Sequence, residues 1–263
     1  MNKNSIIQNF NIGIKLWSTN TDQINNIRTL YSEGYCAYIE LFAVPGTFIT
    51  HAHAWQTLDI PFIIHAPHSQ QGMNPALHDR ALSNSRLIHE TCLFADLLSA
   101  PVIVMHPGIG GDLNETVRQM RSFNDTRFAI ENKPYWSLDG RSVCNGYSVG
   151  DISLIMKETG VRFCLDFGHA ISAANAQKID YREVLQQFIA LQPVIYHITD
   201  GDIDGVIDNH LNFGKGTYPL KELFALLPES AMVTNEANKD FSRGLEDYRS
   251  DLVQLRSMLT GEL

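Results

Sequence analysis

One short stretch of the chain, residues 196–216, combines histidines and carboxylates in the sequence YHITDGDIDGVIDNHLNFGKG. His197, Asp208 and His210 lie in this stretch, directly after an apolar run that is typical of a strand. Imidazole nitrogen and carboxylate oxygen are the ligand atoms that borderline divalent cations prefer. The stretch therefore predicts part of a metal site.

The same residue types stand at the ends of other strand-like segments. They are His65, His106, Glu131, Asp166 with His169 one turn later, and Glu236. Without cations, carboxylates and imidazoles gathered in one place would repel one another and lose their hydration. Nine ligands are too many for one ion, so two or three ions are expected. Nitrogen and carboxylate ligands without thiolate favour Zn²⁺, with Mn²⁺ or Fe²⁺ as alternatives.

The elements that must position these side chains alternate strand with helix along the chain. Strands are predicted at residues 12–16, 37–41, 62–65, 102–106, 128–131, 163–166, 194–198 and 232–236. Helices are predicted at residues 22–33, 75–98, 114–122, 149–158, 181–191, 220–226 and 245–259. Parallel strands joined by right-handed crossovers follow from this alternation, and eight such units close into a (β/α)₈ TIM barrel.

In such a barrel the metal site would lie at the C-terminal face of the strands, where active sites of this fold are built. We expect residues 1–263 to form a single domain. An open doubly wound sheet is the alternative, but the glycines at residues 108–111 are too closely spaced for a dinucleotide fingerprint.

Composition narrows the function classes. With 44% hydrophobic and 19% charged residues, the chain is typical of a globular protein. Its net charge of −9 argues against a general polyanion binder. The four cysteines are far apart and are expected to be buried reduced thiols. No apolar run approaches a membrane span and no signal peptide is evident, so no membrane partner is expected and the cytoplasm is the expected compartment.

Several short motifs resemble endonuclease IV (AP endonuclease family 2), within the wider xylose-isomerase-like TIM barrel group. The motifs are His65-Ala66-Pro67, His106-Pro107-Gly108, Glu131-Asn132, Leu165-Asp166 with His169-Ala170, His197 with Asp200, Asp208-Asn209-His210 with Gly214-Lys215-Gly216, and Glu236. They extend from the third strand onward. The resemblance implies a multi-zinc phosphoester hydrolase, with abasic DNA among its substrates.

The resemblance also implies a distribution of ligands over three zinc ions. His65, His106 and a bridging Glu131 would hold the first ion; Glu131, Asp166, His197 and Glu236 the second; His169, Asp208 and His210 the third. A hydroxide between the first two ions would attack phosphorus, and the third would stabilise the leaving oxygen. The candidate catalytic residues are Glu131, Glu236 and His169.

The first two strands depart from the family. Ile14-Lys15-Leu16 stands where the family has His-Val-Ser, and residues 41–45 replace the start of a loop that penetrates DNA. The residues of the hydrolytic centre therefore match those of the family, and the residues of the DNA-reading loops do not. Metal-dependent sugar or sugar-phosphate isomerases and epimerases of the same barrel group are the alternative. Their one-metal ring is also matched, by Glu131, Asp166, His197 and Glu236, and its two glutamates would shuttle a proton.

Other residues near the predicted mouth are candidates for substrate contact. They are His68, three residues after a ligand; Lys133 and Trp136, shortly after Glu131; and Lys215, between two glycines. A lysine suits a phosphate or sugar oxygen, and a tryptophan can stack a base or sugar face. The expected substrate is a phosphoester or a sugar phosphate. Asp200 and Asp202 are expected to have supporting or solvent-exposed roles.

Overall fold

The strands of this chain close into a parallel eight-stranded barrel. The structure is a computed structural model that describes residues 10–260. Each strand pairs in parallel with the next in sequence, and the last pairs with the first. The strands are β1 Asn11–Trp17, β2 Tyr38–Phe42, β3 Phe62–His65, β4 Ile103–Met105, β5 Phe128–Glu131, β6 Arg162–Asp166, β7 Ile195–Ile198 and β8 Met232–Asn235. The predicted (β/α)₈ TIM barrel is confirmed.

Helices follow the strands and cover the outside of the barrel. Within residues 10–260 they are α1 Ile24–Ser32, α2 Phe48–Trp55, α3 Ala81–Leu97, α4 Leu113–Phe123, α5 Val149–Thr159, α6 Phe167–Gln177, α7 Tyr181–Ile189, α8 Leu220–Ala225 and α9 Glu246–Thr260. Of these, α2 and α6 fall outside the predicted segments. No helix among the described residues is long and apolar enough to cross a membrane.

Several predicted boundaries were wrong by a few residues. Helix α3 begins at Ala81 rather than at Pro75, because residues before it form a turn and a short 3₁₀ segment. Strand β4 ends at Met105 and β8 at Asn235, so that His106 and Glu236 are the first residues after their strands rather than the last residues within them. Both side chains still lie at the C-terminal mouth of the barrel.

The interior of the barrel is filled by an apolar layer directly beneath this mouth. The layer consists of Tyr38, Ile63, Val102, Val104, Ala129, Cys164 and Ile195. Since side chains on one face of a strand repeat every two residues, most of these stand two positions before a polar residue of the mouth. Gly13 leaves space for the Tyr38 ring, because a Cβ at Gly13 would lie 2.2 Å from that ring. The polar residues of the mouth therefore lie directly above a closed layer of apolar side chains.

Candidate metal centre

All nine candidate ligands converge at the mouth of the barrel in three groups. Within each group, one ligand atom from every residue lies within 4.8 Å of the others. The groups are His65, His106 and Glu131 (group one); Glu131, Asp166, His197 and Glu236 (group two); and His169, Asp208 and His210 (group three). The grouping matches the distribution that the sequence resemblance implies. Binding of ions by these residues stays a prediction.

Three histidines are oriented by backbone carbonyl groups outside the centre. The Nδ1 atom of His65 lies 2.7 Å from the carbonyl oxygen of Ala66, and that of His169 lies 2.9 Å from the carbonyl oxygen of Asn132. The Nδ1 atom of His210 lies 3.2 Å from the Glu236 carbonyl oxygen. A carbonyl oxygen only accepts, so Nδ1 is the donor in each case, and in the neutral form of each ring Nε2 carries a lone pair.

The inward-facing nitrogens point at carboxylate oxygens. Nε2 of His65 lies 3.2 Å from Oε2 of Glu131, and Nε2 of His210 lies 3.4 Å from Oδ2 of Asp208. Nε2 of His169 lies 3.7 Å from the same Asp208 oxygen. A lone pair and an anionic oxygen repel each other unless a positive charge lies between them. Histidines whose outer N–H is anchored in this way are typical of metal ligands.

Buried polar atoms without partners lie in the same place. Among the described residues, Oδ2 of Asp166 and Oδ2 of Asp208 have no hydrogen-bond partner. Such atoms are costly to bury unless a ligand satisfies them. These oxygen donors and the imidazole nitrogens suit a divalent cation of the Zn²⁺, Mn²⁺ or Fe²⁺ kind, whereas burial raises the pKa of the Cys164 thiol beside Glu131 and His197 and keeps it protonated. The residues present therefore fit the ions that the sequence predicts.

The pKa of Asp166 also indicates a need for positive charge near this carboxylate. Burial, together with the neighbouring Asp208 and Glu131 carboxylates, raises the pKa of Asp166 to about 6, although His169 opposes the shift. Burial and the Lys133 ammonium hold the pKa of His106 well below its usual range, so this ring is neutral and able to act as a ligand.

Asp166 shows how local structure orients a ligand. Its Oδ1 accepts the backbone N–H of His169 at 2.7 Å and so caps the N-terminus of α6. The side chain of Asn132 fixes the same strand end, because its Oδ1 accepts the Asp166 N–H at 2.7 Å and its Nδ2 donates to the Asp166 carbonyl at 2.9 Å. The second carboxylate oxygen of Asp166 is left for the centre.

Asp200 organises the loop after β7. Its carboxylate accepts backbone N–H groups from Gly201, Gly214, Gly216 and Tyr218, at 2.8 to 3.1 Å. Asp200 is 1% exposed, so it supports the loop and hardly contacts solvent. Asp202, in contrast, is exposed. The loop carries Asp208 and His210 of group three.

His210 needs this support because of its backbone. Its φ angle of 48° is uncommon for a residue other than glycine. Two hydrogen bonds hold it, from His210 N–H to Oδ1 of Asp208 at 3.1 Å and from Asn238 N–H to the His210 carbonyl at 2.9 Å.

Of the predicted substrate-contact residues, Lys133 and His68 contact candidate ligands, whereas Trp136 and Lys215 are exposed and make no contact with these ligands among the described residues. Lys133 lies with its Nζ 3.2 Å from Nε2 of His169 and 3.6 Å from Oε1 of Glu131. His68 stacks on His106, with ring centroids 5.4 Å apart. Trp136 is exposed on the loop after β5. Lys215 is exposed, and its ammonium makes no contact with the centre among the described residues. Its role in substrate binding stays a prediction.

Two further residues, Lys15 and Glu40, belong to the site although they were not predicted to do so. Lys15 of β1 forms ion pairs with Glu236 and, at 3.6 Å, with Oε1 of Glu40 of β2. Oε2 of Glu40 accepts Nε2–H of His197 at 2.9 Å and the Thr234 hydroxyl at 2.6 Å. A glutamate in the middle of an otherwise apolar strand, YIELF, was the signal that could have revealed Glu40.

Comparison with solved structures places this architecture among enzymes of different activities. A D-tagatose 3-epimerase-like protein has a TM-score of 0.68 at 17% identity, over 95% of this chain and 98% of that one. Endonuclease IV from Thermus thermophilus has a TM-score of 0.65 at 16% identity, over 93% and 99%. The TTHB071 protein from the same organism, soaked with ZnCl₂, has a TM-score of 0.66 at 15% identity, over 97% and 100%. At these identities the likeness shows the fold alone.

No curated protein sequence matches the chain. A family model does match, over residues 51–240, which is more than half of the chain and contains all nine candidate ligands. Together with the closed parallel barrel, this match shows that the chain belongs to the xylose isomerase-like TIM barrel family.

Proposed function

We propose that this protein is a metal-dependent hydrolase of small phosphoesters, with two or three divalent ions of the Zn²⁺ type held by groups one to three. The observation that carries the proposal is the construction of group three. His169 and His210 each anchor Nδ1 on a carbonyl oxygen and turn Nε2 toward Asp208, whose Oδ2 has no hydrogen-bond partner among the described residues. Group three is thus prepared for a cation in the same way as group one.

A third prepared group favours hydrolysis over isomerisation. Proton transfer beside a carbonyl needs one ion and two carboxylates, which group two alone would supply. Displacement at phosphorus benefits from several adjacent cations, because charge develops on both the attacking and the leaving oxygens. When bound, such ions would supply Lewis acidity and a water of lowered pKa. In a one-metal isomerase, His169, Asp208 and His210 would instead face the sugar.

The chain's own residues would hold the phosphoryl group against this centre. The Lys133 side chain is 11% exposed and its ammonium lies between groups one and three. From there it can donate to an anionic substrate oxygen that enters from the mouth. Asn132 and Asp200 keep the ligand-bearing strand end and loop in place, so that little reorganisation accompanies binding.

The net charge of the chain and the residues at the mouth favour a small substrate over a nucleic acid. The chain carries a net charge of −9, and the positions of the DNA-penetrating loop of endonuclease IV hold the buried residues Phe42 and Ala43 instead. Beside them, the ring of Trp17 packs on Phe42 at 5.0 Å and is 43% exposed. Such a surface suits the face of a sugar or an aromatic leaving group.

A sugar or sugar-phosphate epimerase is the second candidate. It is favoured by one observation, which is that Glu131 and Glu236 both belong to group two and lie 3.6 Å and 2.8 Å from Nδ1 of His197. Two carboxylates around one ion are what a proton shuttle at a sugar carbon would require.

A substrate panel distinguishes the candidates. The protein, reconstituted with Zn²⁺ or Mn²⁺, is assayed against 4-nitrophenyl phosphate, bis(4-nitrophenyl) phosphate, a duplex with one abasic site and an intact duplex. Ketoses and ketose phosphates are incubated in D₂O and followed by NMR for epimerisation and deuterium uptake. The proposal expects release of nitrophenol and no deuterium uptake. Deuterium uptake without phosphoester cleavage would establish the epimerase instead, and cleavage confined to the abasic duplex would refute the small substrate.

A further inference from the structure

A fourth group of metal-capable atoms lies on the β1–β2 side of the mouth. Glu40, His65 and Glu236 each offer one ligand atom, and these atoms lie within 4.8 Å of one another. Oε1 of Glu40 is buried and has no hydrogen-bond partner among the described residues. His65 and Glu236 are shared with groups one and two, so beside filled groups one and two the fourth group would hold a divalent ion through its two carboxylates and water, which are ligands that suit Mn²⁺.

In the fourth group one cation of the chain reaches both carboxylates, whereas Lys133, beside groups one and three, lies 3.6 Å from the Glu131 carboxylate alone. The Lys15 ammonium contacts Oε1 of Glu236 and lies 3.6 Å from Oε1 of Glu40. The lysine side chain is 18% exposed, and the side chains of Glu40 and Glu236 are 0% and 5% exposed. The backbone beneath it is fixed as well, because the Tyr248 hydroxyl donates to the Lys15 carbonyl.

We propose that Lys15 is a tethered cation that occupies the fourth group and keeps divalent ions out of it, so that they are confined to groups one to three. An ammonium and a divalent ion compete for the same carboxylate oxygens, and their mutual repulsion in a buried site is strong. Because Lys15 belongs to the chain, no loss of translational freedom accompanies its binding, and free ions in solution cannot displace it easily.

Exclusion of an ion from the fourth group preserves the orientation of His197. Oε2 of Glu40 accepts Nε2–H of His197 and the Thr234 hydroxyl, which leaves Nδ1 of His197 directed at Glu236, 2.8 Å away. If Oε1 of Glu40 became a metal ligand, the carboxylate would be a weaker acceptor for His197, and the hydrogen bond that fixes the imidazole of group two would be weakened. Lys15 therefore acts on the centre through Glu40 and Glu236 as a positioning residue.

The proposal is tested by counting ions in variants of the full chain. Wild type, Lys15→Met, Lys15→Arg and the double variant Lys15→Met, Glu40→Gln are stripped with a chelator and reconstituted with excess Mn²⁺. Free ions are removed by gel filtration, and bound ions per chain are measured by elemental analysis and by titration calorimetry. We expect Lys15→Met to hold one ion more than wild type, whereas Lys15→Arg, which keeps the charge, and the double variant, which lacks the Glu40 charge, match wild type.

The stability of the variant gives a second measurement. Without metal, Lys15→Met leaves two buried carboxylates without their cation, and we expect a lower Tm than in stripped wild type. Saturating Mn²⁺ should restore the lost stability. An unchanged ion count in Lys15→Met, or a variant that excess Mn²⁺ does not bring to the folded state, would overturn the proposal. The count needs no substrate, so its outcome is independent of whether the enzyme is a hydrolase or an epimerase.

Discussion

The mouth of the barrel has two sides that balance charge differently. Strands β3–β8 and their loops supply the nine candidate ligands, whose carboxylates include Asp166 and Asp208, each with a buried oxygen that has no hydrogen-bond partner among the described residues. Strands β1 and β2 supply Glu40 together with Lys15, which neutralises it from within the chain. On the β3–β8 side Lys133 lies 3.6 Å from Glu131 only, so under the proposed function most carboxylates of that side depend on ions from solution, whereas both carboxylates next to Lys15 have a cation of the chain.

This difference corresponds to the pattern of resemblance. The motifs shared with endonuclease IV begin at β3, and the departures lie on β1 and β2. The β3–β8 side would carry chemistry that is common to several relatives, whereas the β1–β2 side, with Lys15, Glu40 and the exposed Trp17, would adapt the centre to a particular substrate. Variants on the two sides should therefore fail in different ways.

The largest effect is expected from Glu131→Gln. Glu131 belongs to groups one and two, so the substitution removes charge from two ions at once. We expect phosphoesterase activity to fall by about 1,000-fold or more, equivalent to about 4 kcal/mol of transition-state stabilisation, with a parallel loss of bound metal. Glu183→Gln, on the exposed face of α7, is the matched control. Unchanged activity in Glu131→Gln would show that the centre lies elsewhere.

Next is His210→Ala, which separates the two candidate functions. A hydrolase that uses group three should lose about 100-fold in kcat together with one bound ion, because the remaining ligands are His169 and Asp208. An epimerase that uses group two should change little. The exposed His53 of α2 provides the control His53→Ala. Full retention of phosphoester cleavage by His210→Ala would contradict a role for group three.

A smaller effect is expected from Asp200→Asn. The carboxylate accepts four backbone N–H groups of the loop after β7, and an amide can satisfy them only in part. We expect the free energy of unfolding to fall by about 2–3 kcal/mol and the affinity of group three for metal to fall about tenfold. Asp202→Asn, at an exposed position of the same loop, should change neither quantity. Denaturant unfolding and metal titration measure both.

The smallest effect, on the β1–β2 side, is expected from Trp17→Ala. The ring is 43% exposed and touches Phe42 at the rim, without contact to groups one to three. We expect KM for an aryl or sugar phosphoester to rise about three- to tenfold with kcat nearly unchanged, because uniform binding is lost. Leu138→Ala, at another exposed apolar position near the mouth, serves as control. A fall in kcat without a change in KM would place Trp17 in the chemistry instead.

Much of this organisation could be predicted from the sequence because the barrel imposes it. Once eight strands alternate with helices, the ends of parallel strands must meet at one mouth, so His65, Glu131 and His197 could be assigned to it without coordinates. The ligand residues are polar groups at the ends of apolar runs, and that contrast is visible in the sequence.

The parts that were missed depend on tertiary contacts. The segment FITHAHAW of α2 contains Ile49 and Thr50, whose β-branched side chains have weak helix propensity, and burial of Ala52 and Trp55 against the core decides its structure. Helix α6 begins directly after β6, with Asp166 as its N-cap, so no turn residues in the sequence mark its start. Partners far apart in the chain, such as Glu40 with His197, leave no local pattern.

The number of divalent ions per chain tests the central claim most directly. Wild-type protein, reconstituted with Zn²⁺ and freed of loosely bound metal, is analysed for metal by mass spectrometry against a protein concentration from amino-acid analysis. Groups one to three predict two or three ions per chain. One ion, or none, would contradict the multi-metal centre and leave group two as a one-metal site.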